Sequence, residues 1–357
     1  PRFHIGESLL PASMPIFKEI GFYDTLANGK YIRKYGARFL EYRHDNEVYF
    51  GFEDGFNPEI PMAFEVERAK FDKDLLDHAK KCGATIYQPD RIKTVDFFDD
   101  HVKVVSNNGE FECKFVADAT GRDSLLGKKF NQRTKNDDLN NVAVFAHYTG
   151  VKRNPGKHAG DIVIGLLPER AWSWVIPFEG DRTSVGVVCN AMSYKGGVDL
   201  GEYLQQNYES SVRLKDYMSN AERVSEISII SNYSHKCDKF AGDRWILIGD
   251  SAVFLDPIFS SGVHVSVTSA KLASKALLEA FKTETLLTTH ERGMIYQKEF
   301  QKGVDRFHNL ISLFYESNFV LGMKKTLTLN RMRLGFTSAV AGDMWNDNNY
   351  IFEKNVL

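Results

Sequence analysis

The segment from Ile246 to Val263, ILIGDSAVFLDPIFSSGV, constrains the fold more than any other stretch of the chain. A short apolar run that ends in turn residues predicts a buried β-strand stopping at Gly249 and Asp250. The residues that follow, GVHVSVTSAKLASKALLEAF from Gly262, are rich in small side chains and have helical spacing. Glycine permits a close backbone approach, and the first N–H groups of a helix offer a site for an anion or a carbonyl oxygen. This order of elements therefore predicts a binding site at the end of a strand.

Two interpretations of Asp250 follow from its position. Its carboxylate suits a hydrogen bond from a ribityl or ribose hydroxyl, or it caps the turn and binds nothing. In a second motif, FVADATGRDS (115–124), an apolar strand runs into small residues at 118–121 that would let a cofactor lie across the backbone. Strands often end in small polar residues, so this second pattern is informative only together with the first.

The rest of the chain mixes helices and strands. Helical spacing is found in LLPASMPIFKEIGF (9–22), in FDKDLLDHAKKCGA (71–84) up to Gly83, near 199–222 and from about Thr288. Alternating patterns predict strands in KYGARFLEYR (34–43) and EVYFGF (47–52) and over much of 141–235. A meander of RIKTVDFF, HVKVVS and EFECKFVADATG lies between them, with a hairpin turn at Asn107-Asn108-Gly109. The fold class is therefore mixed α/β with a large β region.

Composition excludes several classes of function. A chain of 357 residues, 43% of them hydrophobic, suits two joined domains with a substantial core. The net charge of −2 gives no electrostatic reason to expect nucleic acid or an anionic membrane as a partner. Four dispersed cysteines without a CxxC pair predict no metal site and no disulfide framework, and they favour a reducing, cytoplasmic compartment. No apolar stretch is long enough to predict a membrane span.

Several motifs in register resemble the FAD-dependent halogenases, a family of the flavoprotein monooxygenase superfamily. Phe254, Pro257, Ser260 and Gly262 match the F-x-x-P-x-x-S-x-G motif of that family, and WSWVIP (172–177) matches its W-x-W-x-I-P motif. The segments RFHIGESLLP (2–11) and VERAKFDKDLLDHA (66–79), and Lys34 in RKYGARF, also resemble family positions. The resemblance implies a Rossmann-like flavoprotein hydroxylase fold with a β-sheet substrate region and a C-terminal helical region.

The resemblance also implies a division of the chain. Residues 1–27, 63–135 and 236–285 are assigned to the FAD-binding domain, 28–62 and 136–235 to a substrate-binding β-sheet domain, and 286–357 to the helical region. Family members begin with a GxGxxG unit, and the chain has no such fingerprint after Pro1. We therefore expect the chain to be truncated at its N-terminus and to bind FAD poorly by itself.

Roles for individual residues follow from the resemblance together with local chemistry. The expected FAD contacts are Glu7, Ser8, Arg68, Gly121, Gly249, Asp250, Pro257, Gly262 and Val263, of which Glu7 and Ser8 rest on the resemblance alone. Ser260, Ser261 and Gly262 are expected to hold halide, because a helix N-terminus supplies N–H donors; alternatively, the serines only begin the helix. An arginine at a strand–helix junction, such as Arg68, is also a common salt-bridge partner.

Lys34 is the expected catalytic residue. In the reaction that the resemblance implies, reduced FAD and O₂ convert chloride or bromide to hypohalous acid, and a lysine delivers the halogen to an electron-rich aromatic substrate. Strand alternation places Lys34 on a face with Ile32 and Gly36, which is unusual for a solvated lysine. The alternative is ordinary surface charge in a locally basic stretch.

The two tryptophans of WSWVIP project to one face of a strand. Core packing alone accounts for such a pair, since each indole buries a large apolar area. Under the resemblance, Trp172 and Trp174 form a wall between flavin and substrate, and Pro177 ends it.

Three functions remain open from the sequence. The first is a flavin-dependent halogenase acting on a phenol-like or pyrrole-like substrate, free or bound to a carrier protein, and served by a separate flavin reductase. The second is an FAD-dependent monooxygenase or reductase of the same fold that uses no halide. The third is a non-catalytic flavoprotein relic that binds a partner.

Overall fold

The computed structural model describes residues 4–57, 59, 61–135, 140–194, 199–231, 234–316 and 318–353. The first two residues of the RFHIGESLLP segment, Arg2 and Phe3, lie outside these ranges. The strands are β1 (Ile32–Lys34), β2 (Gly36–Leu40), β3 (Glu47–Gly51), β4 (Ala63–Glu65), β5 (Ile92–Phe97), β6 (Val102–Ser106), β7 (Glu110–Cys113), β8 (Val116–Asp118), β9 (Arg133–Lys135), β10 (Asn141–Thr149), β11 (Ile162–Leu166), β12 (Trp172–Pro177), β13 (Thr183–Asn190), β14 (Glu222–Arg223), β15 (Ser228–Ser231), β16 (His235–Cys237), β17 (Ala241–Gly242), β18 (Trp245–Leu247) and β19 (Val253–Phe254). The helices are α1 (Met14–Glu19), α2 (Tyr23–Asn28), α3 (Arg68–Lys81), α4 (Leu125–Lys129), α5 (Leu200–Glu209), α6 (Val212–Tyr217), α7 (Ser261–Thr283), α8 (Arg292–Glu316), α9 (Phe319–Thr326), α10 (Asn330–Val340) and α11 (Tyr350–Glu353). The mixed α/β class is confirmed.

The largest sheet has the strand order β14-β10-β13-β12-β11-β2-β3, and β15 pairs with the same outer strand, β10. Among the strand pairs of this sheet in the described residues, β11–β2 is parallel and the others are antiparallel. One face of β12 packs Trp172, Trp174 and Ile176 into a core that includes the C-terminal helices. Val175, on the other face, packs into a second core beneath α5 and α6. The alternation of WSWVIP is therefore confirmed, because both faces of the strand are buried by different layers.

Two strands of this fold differ from the sequence expectation. The stretch 110–121 is not one strand: β7 pairs with β6, whereas β8 pairs with β18 in another sheet. The stretch from Lys34 is also broken, because the backbone N–H groups of Tyr35 and Gly36 both donate to the carboxylate of Asp161 instead of to a strand. Alternation marks a residue as extended but does not specify its partner, so neither break was predictable from periodicity.

The carboxyl ends of strands β8 and β18 fix the position of the turns that follow them. These strands run parallel, with Asp118 opposite Leu247. The carboxyl ends of parallel neighbours lie at one edge of a sheet, so the turn at Gly121 and the turn at Gly249-Asp250 meet there. Helix α7 then packs back across the core, and its small residues Ala273 and Ala280 are fully buried.

Helix α7 is attached to the N-terminal segment by one buried polar pair. Nδ1 of His264 lies 3.0 Å from the hydroxyl of Ser13, and the imidazole packs against the ring of Trp345. Burial lowers the pKa of His264 to about 4. The folded protein therefore holds this histidine neutral over most of the acidic range.

We predict that His264→Gln removes part of the acid sensitivity of the fold. The pKa of this histidine is about 4 in the folded protein and about 6.5 in the unfolded chain. Its contribution to the free energy of unfolding is therefore complete above pH 6.5 and is lost as the pH falls toward 4. The difference in the free energy of unfolding between wild type and His264→Gln should therefore shrink by about 2 kcal/mol from pH 7 to pH 4.5. Urea unfolding of both proteins at the two pH values measures the gap; a gap that does not change with pH contradicts the prediction.

Candidate functional site

A cavity of about 750 Å³ lies where the two turns, the N-terminal segment, β12 and the start of α7 converge. Most of the residues singled out in the sequence line it: Glu7, Ser8, Arg68, Gly121, Trp172, Trp174, Asp250, Pro257, Ser260, Ser261, Gly262 and Val263. Gly249 and Pro177 do not line it. Gly249 supports its turn from behind, where its N–H donates to Ser269, and Pro177 pairs with Thr183 in the sheet. Lys34 also lies outside the lining, next to Ser8.

Asp118 organises both turns. Its Oδ1 accepts from the backbone N–H and hydroxyl of Thr120 and from the hydroxyl of Ser251, and its Oδ2 accepts from the N–H of Leu126. The hydroxyl of Ser251 accepts in turn from the N–H of Gly121 at 3.0 Å. Gly121 has φ of +66°, a region that favours glycine, and the space where its side chain would project is open. Asp118 thus has the capping role that one of the two interpretations assigned to Asp250.

Asp250 is left to face the cavity. No hydrogen bond to its carboxylate is formed within the described part of the chain, so the capping alternative is wrong. Burial raises the pKa of Asp250 to about 6, although the nearby cations Arg68 and Arg122 lower it. The carboxylate is therefore available to a ligand hydroxyl.

Arg68, at the first position of α3, has both of the roles considered for it. Its guanidinium pairs with Asp72 one turn along the helix and donates to the carbonyl of Ile5 at 2.9 Å. The same side chain lines the cavity. The ion pair fixes the guanidinium at the cavity edge, and the hydrogen bond to Ile5 ties α3 to the N-terminal segment.

The N-terminus of α7 opens into the cavity. Ser260 adopts a left-handed conformation with φ of +55°, and its hydroxyl does not cap the helix. The first N–H groups of a helix have no partner within it, so this end of a 23-residue helix can bind an anion or a carbonyl oxygen. Ser261 and Gly262 provide the backbone of that first turn.

Trp172 and Trp174 line one side of the cavity with their ring centroids 5.9 Å apart. Gly186 lies opposite Trp174 on β13, and a Cβ there would come within 2.3 Å of the indole. The glycine therefore makes room for the second tryptophan.

A buried hydrogen-bond network holds Trp172 to the C-terminal helices. Its indole N–H donates to the hydroxyl of Tyr315 at 2.8 Å, and Tyr315 donates to Asp256 at 3.1 Å. Asn141 donates to the same carboxylate oxygen. Burial raises the pKa of Asp256 to about 6, while these donors lower it. Tyr315 itself lines a second cavity of about 310 Å³. It therefore links that cavity to the first one, which is lined by its partners Trp172 and Asp256.

Lys34 is buried, with 1% of its surface exposed, so the surface-charge alternative is wrong. Its Nζ donates to the hydroxyl of Ser8 at 2.7 Å and to the carbonyl of Leu9 at 3.1 Å, and it lies 5.3 Å from the ring centroid of Phe52. Burial lowers the pKa of Lys34, and the carboxyl groups of Glu65 and Asp161 raise it. The amine is thus separated from the cavity by the side chain of Ser8.

Glu65 and His147 were missed in the sequence. Glu65 is fully buried near Lys34, and burial raises its pKa to about 8. His147, on β10, lies 2.9 Å from the buried carboxylate of Glu7. Alternation in AFEVER and VAVFAHY marks both residues as strand positions, but nothing local indicates that they meet the N-terminal segment.

Comparison with known proteins identifies the family. The family model described as tryptophan halogenase matches residues 52–320. The chain belongs to the tryptophan halogenase family. It is therefore an FAD-dependent oxidoreductase, and the resemblance seen in the sequence is confirmed.

Relatives with curated names agree with this assignment. The chain is 31% identical, over 97% of its own length and 82% of the relative's, to the 1H-pyrrole-2-carbonyl-[peptidyl-carrier protein] chlorinase of Pseudomonas fluorescens. It is 30% identical, over 78% of its length and 69% of the relative's, to the corresponding brominase of Pseudoalteromonas luteoviolacea. A flavin-dependent halogenase of Armillaria mellea is 30% identical, and the chain spans 58% of its length.

Solved structures have the same fold. The myxobacterial chondrochloren halogenase superimposes with a TM-score of 0.80 at 28% identity, covering 99% of this chain and 84% of that one. The flavin-dependent brominase Bmp2 superimposes with a TM-score of 0.88 over all of this chain and 89% of its own, and at 24% identity this likeness concerns the fold alone. The Rossmann-like flavoprotein fold is confirmed. The division into domains and the roles of the site residues stay predictions.

Within the described ranges, no helix combines the length and the apolar character needed to cross a membrane.

We predict that Tyr315→Phe destabilises the protein. The substitution leaves the indole N–H of Trp172 without its acceptor and takes a donor from Asp256, and an unsatisfied buried polar group costs about 1–3 kcal/mol. Chemical unfolding at pH 7 measures the loss. Tyr87→Phe removes a hydroxyl from a half-exposed ring and should stay within about 0.5 kcal/mol of wild type; equal stability of the two variants contradicts the prediction.

Proposed function

We propose that this protein halogenates the pyrrole ring of an acyl group bound to a carrier protein, using FAD, O₂ and chloride or bromide. The observation that carries the proposal is the burial of Lys34 beside the cavity, with its amine bonded to the cavity residue Ser8. Burying a lysine amine costs free energy, so a lysine with no chemical role is normally left at the surface. A lysine that bonds to a reactive halogen requires a desolvated environment. The names of the P. fluorescens and P. luteoviolacea relatives support a pyrrole-2-carbonyl substrate on a carrier protein.

The cavity fits FAD in its chemistry. Asp250 offers an unengaged carboxylate, Arg68 a cation, and Gly121 a backbone with open space beside it. These residues would hold the cofactor together with Pro257, Gly262 and Val263, and Glu7 and Ser8 would lie near the flavin. When bound and reduced, FAD supplies the oxidising chemistry that converts halide to hypohalous acid with O₂. Gly249 acts indirectly, through the shape of its turn.

The first turn of α7 would hold the halide. Ser260, Ser261 and Gly262 present a helix N-terminus to the cavity, and its N–H groups bind an anion without a competing counter-charge. The hydroxyl of Ser260 does not occupy these donors.

Lys34 would receive the halogen and pass it to the substrate, either by hydrogen bonding to hypohalous acid or by bonding to the halogen as a neutral amine. Trp172 and Trp174 would separate substrate from flavin, so that the substrate meets only the electrophile that Lys34 delivers. Pro177 would contribute only by ending the strand, since it does not line the cavity.

A separate flavin reductase would supply reduced FAD, because the sequence has no recognisable nicotinamide site. The dispersed cysteines favour a reducing compartment, and we propose a cytoplasmic location on that ground.

The function is tested with the natural full-length protein, reduced FAD, O₂ and bromide. Pyrrole-2-carbonyl carrier protein, free pyrrole-2-carboxylic acid and phenol serve as three parallel substrates, and mass spectrometry identifies the products. We expect a brominated carrier-bound product. A hydroxylated product without bromine would support the monooxygenase alternative, and oxidation of FAD no faster than without protein would support the non-catalytic one.

We predict that Lys34→Met abolishes halogenation, with a loss on the order of 10²-fold or more, and leaves the oxidation of reduced FAD nearly unchanged. The lysine acts after the oxidant has formed, so the two measurements should separate. Lys239→Met, which removes an exposed amine, is the matched control and should halogenate normally. Full halogenation by Lys34→Met would remove the lysine from the reaction.

We predict that Trp174→Leu gives hydroxylated substrate, because a smaller side chain opens the wall between flavin and substrate. Val175→Ala, on the same strand but facing the other core, should give none. Products are identified by mass spectrometry in protein shown to be folded by its thermal unfolding. A folded Trp174→Leu protein that yields only halogenated product would leave the tryptophan with a packing role.

A further inference from the structure

The buried carboxyl group of Glu65 has no partner that accounts for its place in the fold. Glu65 is 1% exposed, and within the described chain neither of its oxygens has a hydrogen-bond partner. Burying a carboxylate without partners is strongly unfavourable. A strand position next to Phe64 and Val66 would accept an apolar residue, so packing does not explain an acid there.

Backbone pairing brings Glu65, Lys34 and Ser8 to one face. In the β1–β4 pair, Ile32 lies opposite Glu65 and Lys34 opposite Ala63, so Lys34 is the diagonal neighbour of Glu65. Diagonal neighbours on one face of a sheet are within reach of long side chains. On its other side Glu65 lies opposite Ser8 in an antiparallel bridge. The Lys34 side chain therefore reaches across β4 to the hydroxyl of Ser8, and that hydroxyl is the cross-strand neighbour of the Glu65 carboxyl group.

The charges around this group favour exchange of a proton within it. Burial raises the pKa of Glu65 to about 8 and lowers the pKa of Lys34, so the affinities of acid and amine for a proton approach each other. Lys34 and Ser8 both lower the pKa of Glu65, although Ser8 lacks the geometry of a full hydrogen bond.

The other two carboxylates that face the group each have at least one hydrogen-bond partner. Asp161 accepts from the backbone N–H groups of Tyr35 and Gly36 and from the hydroxyl of Tyr49. Glu7 accepts through Oε1 from His147, and only its Oε2 is without a hydrogen-bond partner. Among the acids of the described residues near Lys34, Glu65 is the one with both oxygens left to take up a proton.

We propose that Glu65 is a positioning residue for Lys34 that stores the proton which Lys34 must lose, through Ser8, before its amine bonds to halogen. This proposal rests on the proposed function. The amine and the carboxyl group share one proton, and the step starts from the arrangement with Lys34 as ammonium and Glu65 as carboxylate. An N–H bond of the ammonium breaks, its proton passes to Ser8, and the hydroxyl proton of Ser8 passes to Glu65, which leaves the neutral amine and the carboxylic acid.

The halogen transfer then balances. The neutral amine forms an N–halogen bond with hypohalous acid, the halogen–oxygen bond breaks, and the departing hydroxide leaves as water with a proton from the amine. The halogen next replaces a ring hydrogen of the substrate, and that proton returns the nitrogen to a neutral amine. Glu65 then gives its proton back to Lys34, so the oxidation state of the protein is unchanged over the cycle.

Infrared titration of the flavin-free protein tests the shared proton without any turnover. The difference between wild type and Glu65→Gln should contain a carboxylic-acid C=O stretch that disappears with a midpoint near pH 8, the value to which burial raises the pKa of Glu65. In Lys34→Met the midpoint should rise by about one pH unit, because the cation that lowers the pKa of Glu65 is gone. Asp343→Asn, which removes a carboxyl group bonded to Asn346, should change neither. A Glu65 band that titrates as an ordinary carboxylate, or a midpoint that Lys34→Met does not move, would overturn the proposal.

Product yield tests the consequence for catalysis. Glu65→Gln keeps the shape of the side chain but takes up no proton, so halogenated product per FAD oxidised should fall on the order of 10²-fold while FAD oxidation stays within about twofold. Glu65→Asp keeps an acid and should retain part of the yield and the infrared band, which guards against a folding defect. If wild type and Lys34→Met behave as proposed and Glu65→Gln halogenates normally, only the role of Glu65 fails. If wild type forms no halogenated product, the proposed function fails, and with it the halogen step.

Discussion

The carboxylate of Asp118 is the interaction on which the site depends. It accepts hydrogen bonds from one turn directly and from the other through Ser251, so two segments 130 residues apart in sequence share one buried anchor. The parallel pairing of β8 and β18 brings these turns to the same edge, and Asp118 sets their conformation there. Asp118 accepts from the backbone of the first turn and from the Ser251 hydroxyl of the second, so Asp250 is not needed to hold either turn. The carboxylate of Asp250, which we propose to bind FAD, thereby takes no part in holding its own turn.

Desolvation of polar side chains is the second theme of the site. Lys34, Glu65 and Glu7 are each almost completely buried, and they come from three segments that meet around β1 and β4. Arrangements of this kind cost stability unless charges or hydrogen bonds compensate them. Compensation is partial here: Lys34 is bonded and Glu7 is paired with His147, whereas Glu65 is not engaged. The remaining strain is located beside the cavity, where shifted pKa values are chemically useful.

Local patterns in the sequence predicted most elements but not the contacts among them. The strand before Gly249, helix α7, the Gly83 end of α3 and the two faces of WSWVIP follow from periodicity and turn residues, and the motifs located the cavity lining. The break at Tyr35 depends on Asp161, 126 residues away, which no window of sequence reveals. Glu65 looks like a polar strand position until β1, β4 and the N-terminal segment enclose it. Lys34 was correctly expected to be desolvated, although Ser8 stands between it and the cavity.

Helix α8 touches both sides of the site with two tyrosines. The hydroxyl of Tyr296 donates to the carbonyl of Leu247, at the end of the strand that carries the Asp250 turn, and the hydroxyl of Tyr315 holds Trp172 through the Asp256 network. They lie 19 positions apart on one continuous helix, a rigid span of about 28 Å. The helix thus sets the distance between the Asp250 turn and Trp172. Adding or removing a single residue between the tyrosines would rotate one of them by about 100° relative to the other. The number of residues between Tyr296 and Tyr315 is therefore constrained, although the amphipathic pattern of the helix does not show it.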